Sequence, residues 1–486
     1  MERKWWALLA VATGVFMSTI DGSIVNIALK TLQELFGAGL HEVEWVVLAY
    51  LLGITCLLPS MGRLGDMIGK RSVYVVGFII FTISSALCGL SWSIDALIGF
   101  RVLQAIGASM IQGVSAALLV EAFPSSQRGQ ALGYIGTAVA AGILTGPVLG
   151  GALINAVGWQ AIFYVNIPIG IGAIALALHA FPADRTRTAQ TFDLVGAALL
   201  GIGLLLVLLA LTEGQVWGFN DWRTLTALGS GSALLVSFVW WEYRAAAPMI
   251  DLRLFRTPSF SFSLMAAFLI FLAGAFNFLL IPYYLQKALG YSPQTTGLTL
   301  IASPLVLSLV SPISGRLSDR FGARWLGIIG LALTTAALLS MATLTTESTQ
   351  MDVVLRLMLI GAGFGLFQSP NNSLIMGSVP RANLGVAGSL LAVMRTLGQT
   401  TGVAIAGAIW ATRVVAAAGQ QYEPVTAAPP FALVAGMHDA MLVAAFLSAI
   451  AIVPTLVRGQ PSGEQQREAV QQAKAGVLGD GRERGA

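Results

Sequence analysis

The sequence predicts an all-α polytopic membrane protein in which two six-helix bundles flank two additional inserted helices. Three observations predict it. Of 486 residues, 56% are hydrophobic and only 10% charged, where a soluble domain carries about 25% Asp, Glu, Lys and Arg. The apolar residues gather into fourteen runs of spanning length, a span needing about 20 of them. A ten-residue loop also occurs twice. The composition excludes a water-soluble enzyme. A net charge of +4 from 27 basic and 23 acidic residues, scattered between apolar runs, excludes a nucleic-acid surface. Cys56 and Cys88 both lie in apolar runs and offer neither a disulfide framework nor a metal cluster.

The runs lie near 6–29, 43–62, 73–92, 97–121, 130–156, 159–181, 194–212, 224–241, 260–284, 294–314, 325–345, 353–379, 384–410 and 437–457. The first follows Glu2-Arg3-Lys4, lacks a small-residue cleavage site and leads straight into further spans, so it reads as a helix and not a secretory signal. The stretch from Leu194 to Leu211 is apolar on every face, which excludes the alternation of an outer-membrane barrel strand. With the N-terminus inside, 20 Lys and Arg fall in cytoplasmic segments, 4 in external loops and 3 within spans. The positive-inside rule therefore places both termini in the cytoplasm of a cell's inner membrane. The tail after Arg458, rich in Gly, Gln, Glu and Arg, reads as disordered.

The repeated loop is Gly62-Arg63-Leu64-Gly65-Asp66-Met67-Ile68-Gly69-Lys70-Arg71 after the second span and Gly315-Arg316-Leu317-Ser318-Asp319-Arg320-Phe321-Gly322-Ala323-Arg324 after the tenth. If each marks the second helix pair of a six-helix unit, the chain divides into a bundle over 1–181, a linker with two inserted helices over 182–256, a second bundle over 257–457 and a tail over 458–486. Duplicated six-helix halves bind their cargo near mid-membrane, between the halves.

Four stretches give a specific resemblance. They are the loop Gly62 to Arg71; Asp21-Gly22-Ser23-Ile24-Val25-Asn26-Ile27-Ala28-Leu29 in span one; Arg101-Val102-Leu103-Gln104-Ala105-Ile106-Gly107 in span four; and Gly142-Ile143-Leu144-Thr145-Gly146-Pro147-Val148-Leu149-Gly150-Gly151 in span five. Trp159 to Gly170, with Phe163, Asn166 and Pro168, fits the opening of span six. In this order and spacing the chain resembles the fourteen-span drug:proton antiporters of the major facilitator superfamily, up to the tail. It departs from them at Lys30, where the pattern usually has proline, and at Ala105, where glycine is usual. The resemblance implies export of lipophilic or cationic small molecules, drugs and toxic compounds among them, by alternating access, with the proton gradient as energy source and no cofactor.

Charges inside hydrocarbon are costly and tend to be paired and functional. Four lie within spans: Asp21, Arg101, Arg356 and Arg395. At about 1.5 Å per residue, Asp21 and Arg101 lie at depths of roughly 13 and 9 Å and are expected to meet. The guanidinium favours the ionised carboxylate and burial favours the neutral acid. The pair is thus a candidate proton-coupling device in which proton and cargo compete for one negative charge. The alternative is a static ion pair that locks two helices.

In the loop, Gly62 and Gly69 permit a tight turn, Asp66 can accept hydrogen bonds from a neighbouring helix start, and Lys70 and Arg71 balance it, so the loop is a candidate conformational latch. The alternative is a turn that merely obeys the positive-inside rule. Gly142, Gly146 and Gly150 expose bare backbone every four residues, and Pro147 can bend the helix there. Such packing suits an exporter, and ordinary small-residue packing explains the spacing equally. For a cavity the candidates are Asn26 in span one, Gln112 in span four, Phe276 and Asn277 in span nine, and Phe364, Gln368 and Asn371 on one face of span twelve with Gly361. Arg395 in span thirteen either joins them or hydrogen-bonds the carbonyls of a neighbouring helix, and its charge counts against a purely cation-selective site.

A membrane enzyme would need clustered His, Asp or Cys, yet His41, His179 and His438 fall at unrelated span ends. The two-halves repeat and the lack of a ring of charge speak against a channel. With one deep carboxylate, monovalent or neutral cargo is expected over dications. Rival readings within transporters are an exporter of a lipid or a self-made metabolite and a proton-coupled uptake symporter. The expected partners are a small lipophilic substrate, protons and the lipid bilayer, and the chain is expected to act as a monomer.

Overall fold

The computed structural model describes residues 2–184, 191–420, 422 and 425–457. The tail and part of the linker expected above lie outside the described residues. Every element described is helical, and fourteen helices are long and apolar enough to cross a membrane. The chain order is α1 Arg3–Phe36, α2 Leu40–Ile68, α3 Lys70–Gly89, α4 Ile94–Ala122, α5 Arg128–Ala156, α6 Ala161–Tyr164 leading into α7 Asn166–Ala180, then the inserted α8 Leu194–Trp217 and α9 Trp222–Glu242. There follow α10 Pro258–Tyr283, α11 Pro293–Leu300 leading into α12 Ala302–Phe321, α13 Ala323–Met341, α14 Gln350–Gly377, α15 Leu384–Ala418, and α16 Pro430–Ile450 leading into α17 Ile452–Val457.

Helices form because each run satisfies its own backbone hydrogen bonds, the only open-ended solution in hydrocarbon. Their ends are set by local chemistry. Between α2 and α3 the chain turns at Gly69 with φ +112°, and between α12 and α13 at Gly322 with φ +84°. Both are backbone conformations that a side chain disfavours, so the two copies of the loop break the helix in the same way. Pro147 lies inside α5 without ending it.

Within the first half, α1 packs on α5 through small residues. A Cβ added at Gly142 would press on Thr19, and one added at Gly150 on Ile24, while the Ser23 hydroxyl donates to the Gly142 carbonyl at 3.1 Å. The second half repeats the device at a constant offset. Gly398 sits against Phe268 and Leu272 of α10, and Gly402 against Leu272 and Ala275, with Ala406 next on the stripe. The stripe read in span five is therefore a feature of both halves, and Pro147 is what distinguishes the first copy, Val403 taking its place in the second.

The halves meet at one end only. Among the described residues, every hydrogen bond joining them involves the first ten residues of α5 or of α15. This is the end that carries both copies of the repeated loop. Towards the other end the facing helices separate, and Asn26, Ile27, Ile143 and Val148 are exposed. The inserted α8 packs on α2 and also touches α15, while α9 packs mainly on α8. The buried Glu213 near the end of α8 lies 3.5 Å from His41 at the start of α2.

Candidate functional site

At the closed end, the Asp66 carboxylate accepts the backbone N–H groups of Gly385 (3.0 Å) and Val386 (3.1 Å) at the start of α15. Asp319, at the same position of the second loop, accepts those of Gly129 (2.9 Å) and Gln130 (3.0 Å) at the start of α5. The first N–H groups of a helix have no partner within it and carry the positive end of its dipole, so a carboxylate there satisfies two donors and a partial charge together. Each acceptor helix begins in the same way. Pro124 and Pro380 open a single tight turn, Ser125–Gln127 or Arg381–Asn383, from which α5 or α15 departs. Close approach needs bare backbone on both sides: a Cβ on Gly62 would run into the Gly385 carbonyl, and one on Gly315 into that of Gly129. Lys70 lies 2.9 Å from Asp66 and 3.0 Å from Glu121. Arg71 donates to the Leu178 carbonyl and, through its backbone N–H, to Asp184.

Midway to the open end, the first half holds a sealed polar centre. Asp21 on α1 and Arg101 on α4 are fully buried, with Arg101 Nη1 2.5 Å from Asp21 Oδ2. Gln104 lies three residues beyond Arg101, on the same face of α4. Its Nε2 donates to Asp21 Oδ1 at 2.9 Å while its Oε1 accepts from Arg101 Nη1 at 2.7 Å. Asn166, the first residue of α7, donates a third hydrogen bond to Asp21, also at 2.9 Å. Both amides also reach Ser85 on α3, whose hydroxyl donates to the Phe163 carbonyl. Arg101 is held further by the Val46 carbonyl at 2.9 Å and by the Tyr50 ring, whose centroid lies 4.0 Å from the guanidinium carbon. One carboxylate thus ties α1, α3, α4 and α7 together. Gln104, Asn166, Ser85 and Tyr50 were missed as site residues from sequence, although a polar side chain at i+3 from a buried arginine is a readable signal. The geometry also alters the expected competition: Asp21 faces the interior of its own half, so cargo between the halves does not touch it in this conformation.

The expected cavity residues scatter. Phe276 is fully buried in the core of the second half, and Asn371 donates from α14 to the Ser263 carbonyl of α10 at 3.0 Å. Both hold the second half together and neither lines the gap. Asn26 is exposed on the outer part of α1 and donates back to the Gly22 carbonyl. Asn277 is partly buried, its amide oxygen sealed from solvent. The face read on span twelve is divided: Gly361 abuts the Ser303 backbone, Phe364 lies over Gly274 and meets Phe271 edge to face at 5.8 Å, and Gln368 reaches towards Gly136 of the other half. Gln112 and Arg395 are partly buried.

The chain thus combines fourteen spans, a carboxylate set on a helix start in both copies of the loop and one buried acid–guanidinium pair in the first half. Residues 11–403 and 262–479 match the Major Facilitator Superfamily. The chain belongs to that superfamily. It is 36% identical to the riboflavin transporter RibZ of Clostridioides difficile over 416 residues, 85% of this chain and 89% of the relative. It is 35% identical to the multidrug resistance protein Stp of Mycobacterium tuberculosis over 406 residues, 83% of this chain and 75% of the relative. Among solved structures, the human organic anion transporter MFSD10 superposes with a TM-score of 0.66, covering 94% of this chain and all of that one at 14% identity, a likeness of fold. Fold and relatives alike are those of a membrane transporter beside the superfamily's multidrug efflux members.

Proposed function

We propose that this transporter is a proton-coupled antiporter that exports small lipophilic molecules across the inner membrane by alternating access, acting as a monomer. The observation that carries this reading is the sealed centre of the first half: one ionisable acid, held by one guanidinium and two amides, joins four helices. Protonating Asp21 removes the charge that Arg101 and both amides are arranged around, so proton binding changes how α1, α3, α4 and α7 pack. Coupling then runs through helix packing rather than through direct competition for the carboxylate.

The basic residues Arg63, Lys70, Arg71, Arg316, Arg320 and Arg324 crowd the closed end, which supports a cytoplasmic orientation of that end under the positive-inside rule. The conformation described is then the outward-open one, and the Asp66 and Asp319 contacts are the latches that hold it. A proton from outside neutralises Asp21, the latches part and the cytoplasmic side opens to cargo. Relatives named multidrug resistance proteins support drug-like cargo. The relative named a riboflavin transporter favours a second reading, movement of a metabolite through the same machinery, by export or by proton-coupled uptake.

One proton moving down about 100 mV and one pH unit supplies about 2.3 and 1.4 kcal/mol, enough to concentrate a neutral molecule several-hundred-fold. In inverted vesicles energised by respiration, uptake of a neutral lipophilic dye such as 1-pyrenebutanol is expected to exceed its passive level and to collapse when an ionophore abolishes the proton gradient. Accumulation that survives the ionophore, or none above vesicles lacking the protein, contradicts the proposal.

A further inference from the structure

The gap between the halves carries a deep cation that has no counter-charge among the described residues. Gly388, Ala392, Arg395 and Gln399 fall at i, i+4, i+7 and i+11 on α15 and share one face of the helix. The lowest of them, Gly388, lies against Ala116 of α4, where a Cβ would be 3.4 Å from that alanine. Arg395 and Gln399, two and three turns above, therefore face the first half across the level at which the two halves part. Arg395 is ten residues beyond Gly385, about 15 Å from the latch and near mid-membrane. Its guanidinium makes no hydrogen bond or ion pair with any described residue, and no acidic side chain stands near it. Its nitrogens are nonetheless not sealed from solvent. Gln399 is exposed and Gln112, one turn above Ala116 on α4, is partly buried; neither has a described partner.

An unpaired guanidinium at this depth is costly, and its planar donors match a carboxylate or phenolate. The acid that would otherwise favour a cation, Asp21, is already filled by three donors inside its own half. One turn beyond Arg395 on α15, Gly398 lies against Phe271, which meets Phe364 edge to face, both residues being partly exposed. We propose that Arg395, Gln399 and Gln112 form an anion subsite between the halves, and that the cargo is a lipophilic aromatic acid whose carboxylate or phenolate sits on Arg395 and whose ring lies against Phe271 and Phe364. This rests on the export reading and narrows its substrate class. The driving forces agree with it. In exchange for an entering proton, an outgoing anion draws on the membrane potential twice, whereas an outgoing cation cancels that term.

The test uses three probes on one hydrophobe: 1-pyrenebutanoate, 1-pyrenebutanol and 1-pyrenebutyl-trimethylammonium. Saturable binding to the purified full-length protein in nanodiscs is expected to favour the butanoate over the ammonium by at least about tenfold. Arg395→Gln erases that preference, weakening the butanoate far more than the neutral alcohol, and Arg395→Lys restores part of it. Absence of saturable binding, or the same order of affinities in wild type and Arg395→Gln, overturns the anion subsite. If binding follows the expectation but inverted vesicles show no gradient-driven uptake of the butanoate, the subsite stands and the export reading fails.

Discussion

Two charges inside membrane-spanning helices, one in each half, live under opposite conditions. Asp21 in the first half has a donor on each oxygen, a guanidinium on one and two amides on the other, with no exposed surface. Arg395 in the second half has no described partner and nitrogens that solvent reaches. A buried charge is kept either because its own fold compensates it or because something that visits compensates it. On the proposal above, the first charge serves the helix packing and the second the cargo.

If so, removing partners should hurt the first site and leave the second indifferent. The largest effect is expected for Arg101→Ala, which strands a sealed carboxylate and should cost about 3–5 kcal/mol of stability, read as a lower unfolding midpoint in detergent. A protein as stable as wild type would mean that Asp21 finds water or another donor. Gln104→Leu removes a donor to Asp21 and an acceptor for Arg101 but leaves the ion pair, and is expected to cost less, about 1.5–3 kcal/mol, in the same measurement. Arg395→Gln should change stability by less than about 0.5 kcal/mol in either direction, because no described contact is lost; a larger fall would give Arg395 a structural partner and erase the contrast.

The latches show a milder version of the same contrast. Asp66 and Asp319 accept the same pair of backbone donors, but Asp66 also has Lys70, for which the second loop substitutes Ala323. The shared part of the device is thus the carboxylate on a helix start, and the ammonium is an addition to one copy.

What could be read from sequence divides along a physical line. Length, apolarity and the repeated loop suffice for fourteen spans and two halves, because spanning a bilayer imposes those features locally. The depths of Asp21 and Arg101 make them candidate partners, and the structure supplies the helix packing that brings them together. The partners of the latch do not: Asp66 and Val386 are separated by 320 positions and Asp319 and Gln130 by 189. Only the similar openings Pro124-Ser125-Ser126-Gln127-Arg128-Gly129 and Pro380-Arg381-Ala382-Asn383-Leu384-Gly385 hint at them. Helical spacing alone also cannot say which neighbour a face meets, which is why Phe276 and Asn371, polar or aromatic and suitably spaced, turned out to hold the second half together.

The most direct measurement is the proton count on binding. In weakly buffered detergent solution, adding a saturating bound probe such as 1-pyrenebutanoate to wild type is expected to change the free proton concentration in proportion to protein. Asp21→Asn, folded and still binding the probe, should give no change. An equal proton signal from both proteins would remove Asp21 from the coupling and leave the driving force to another group.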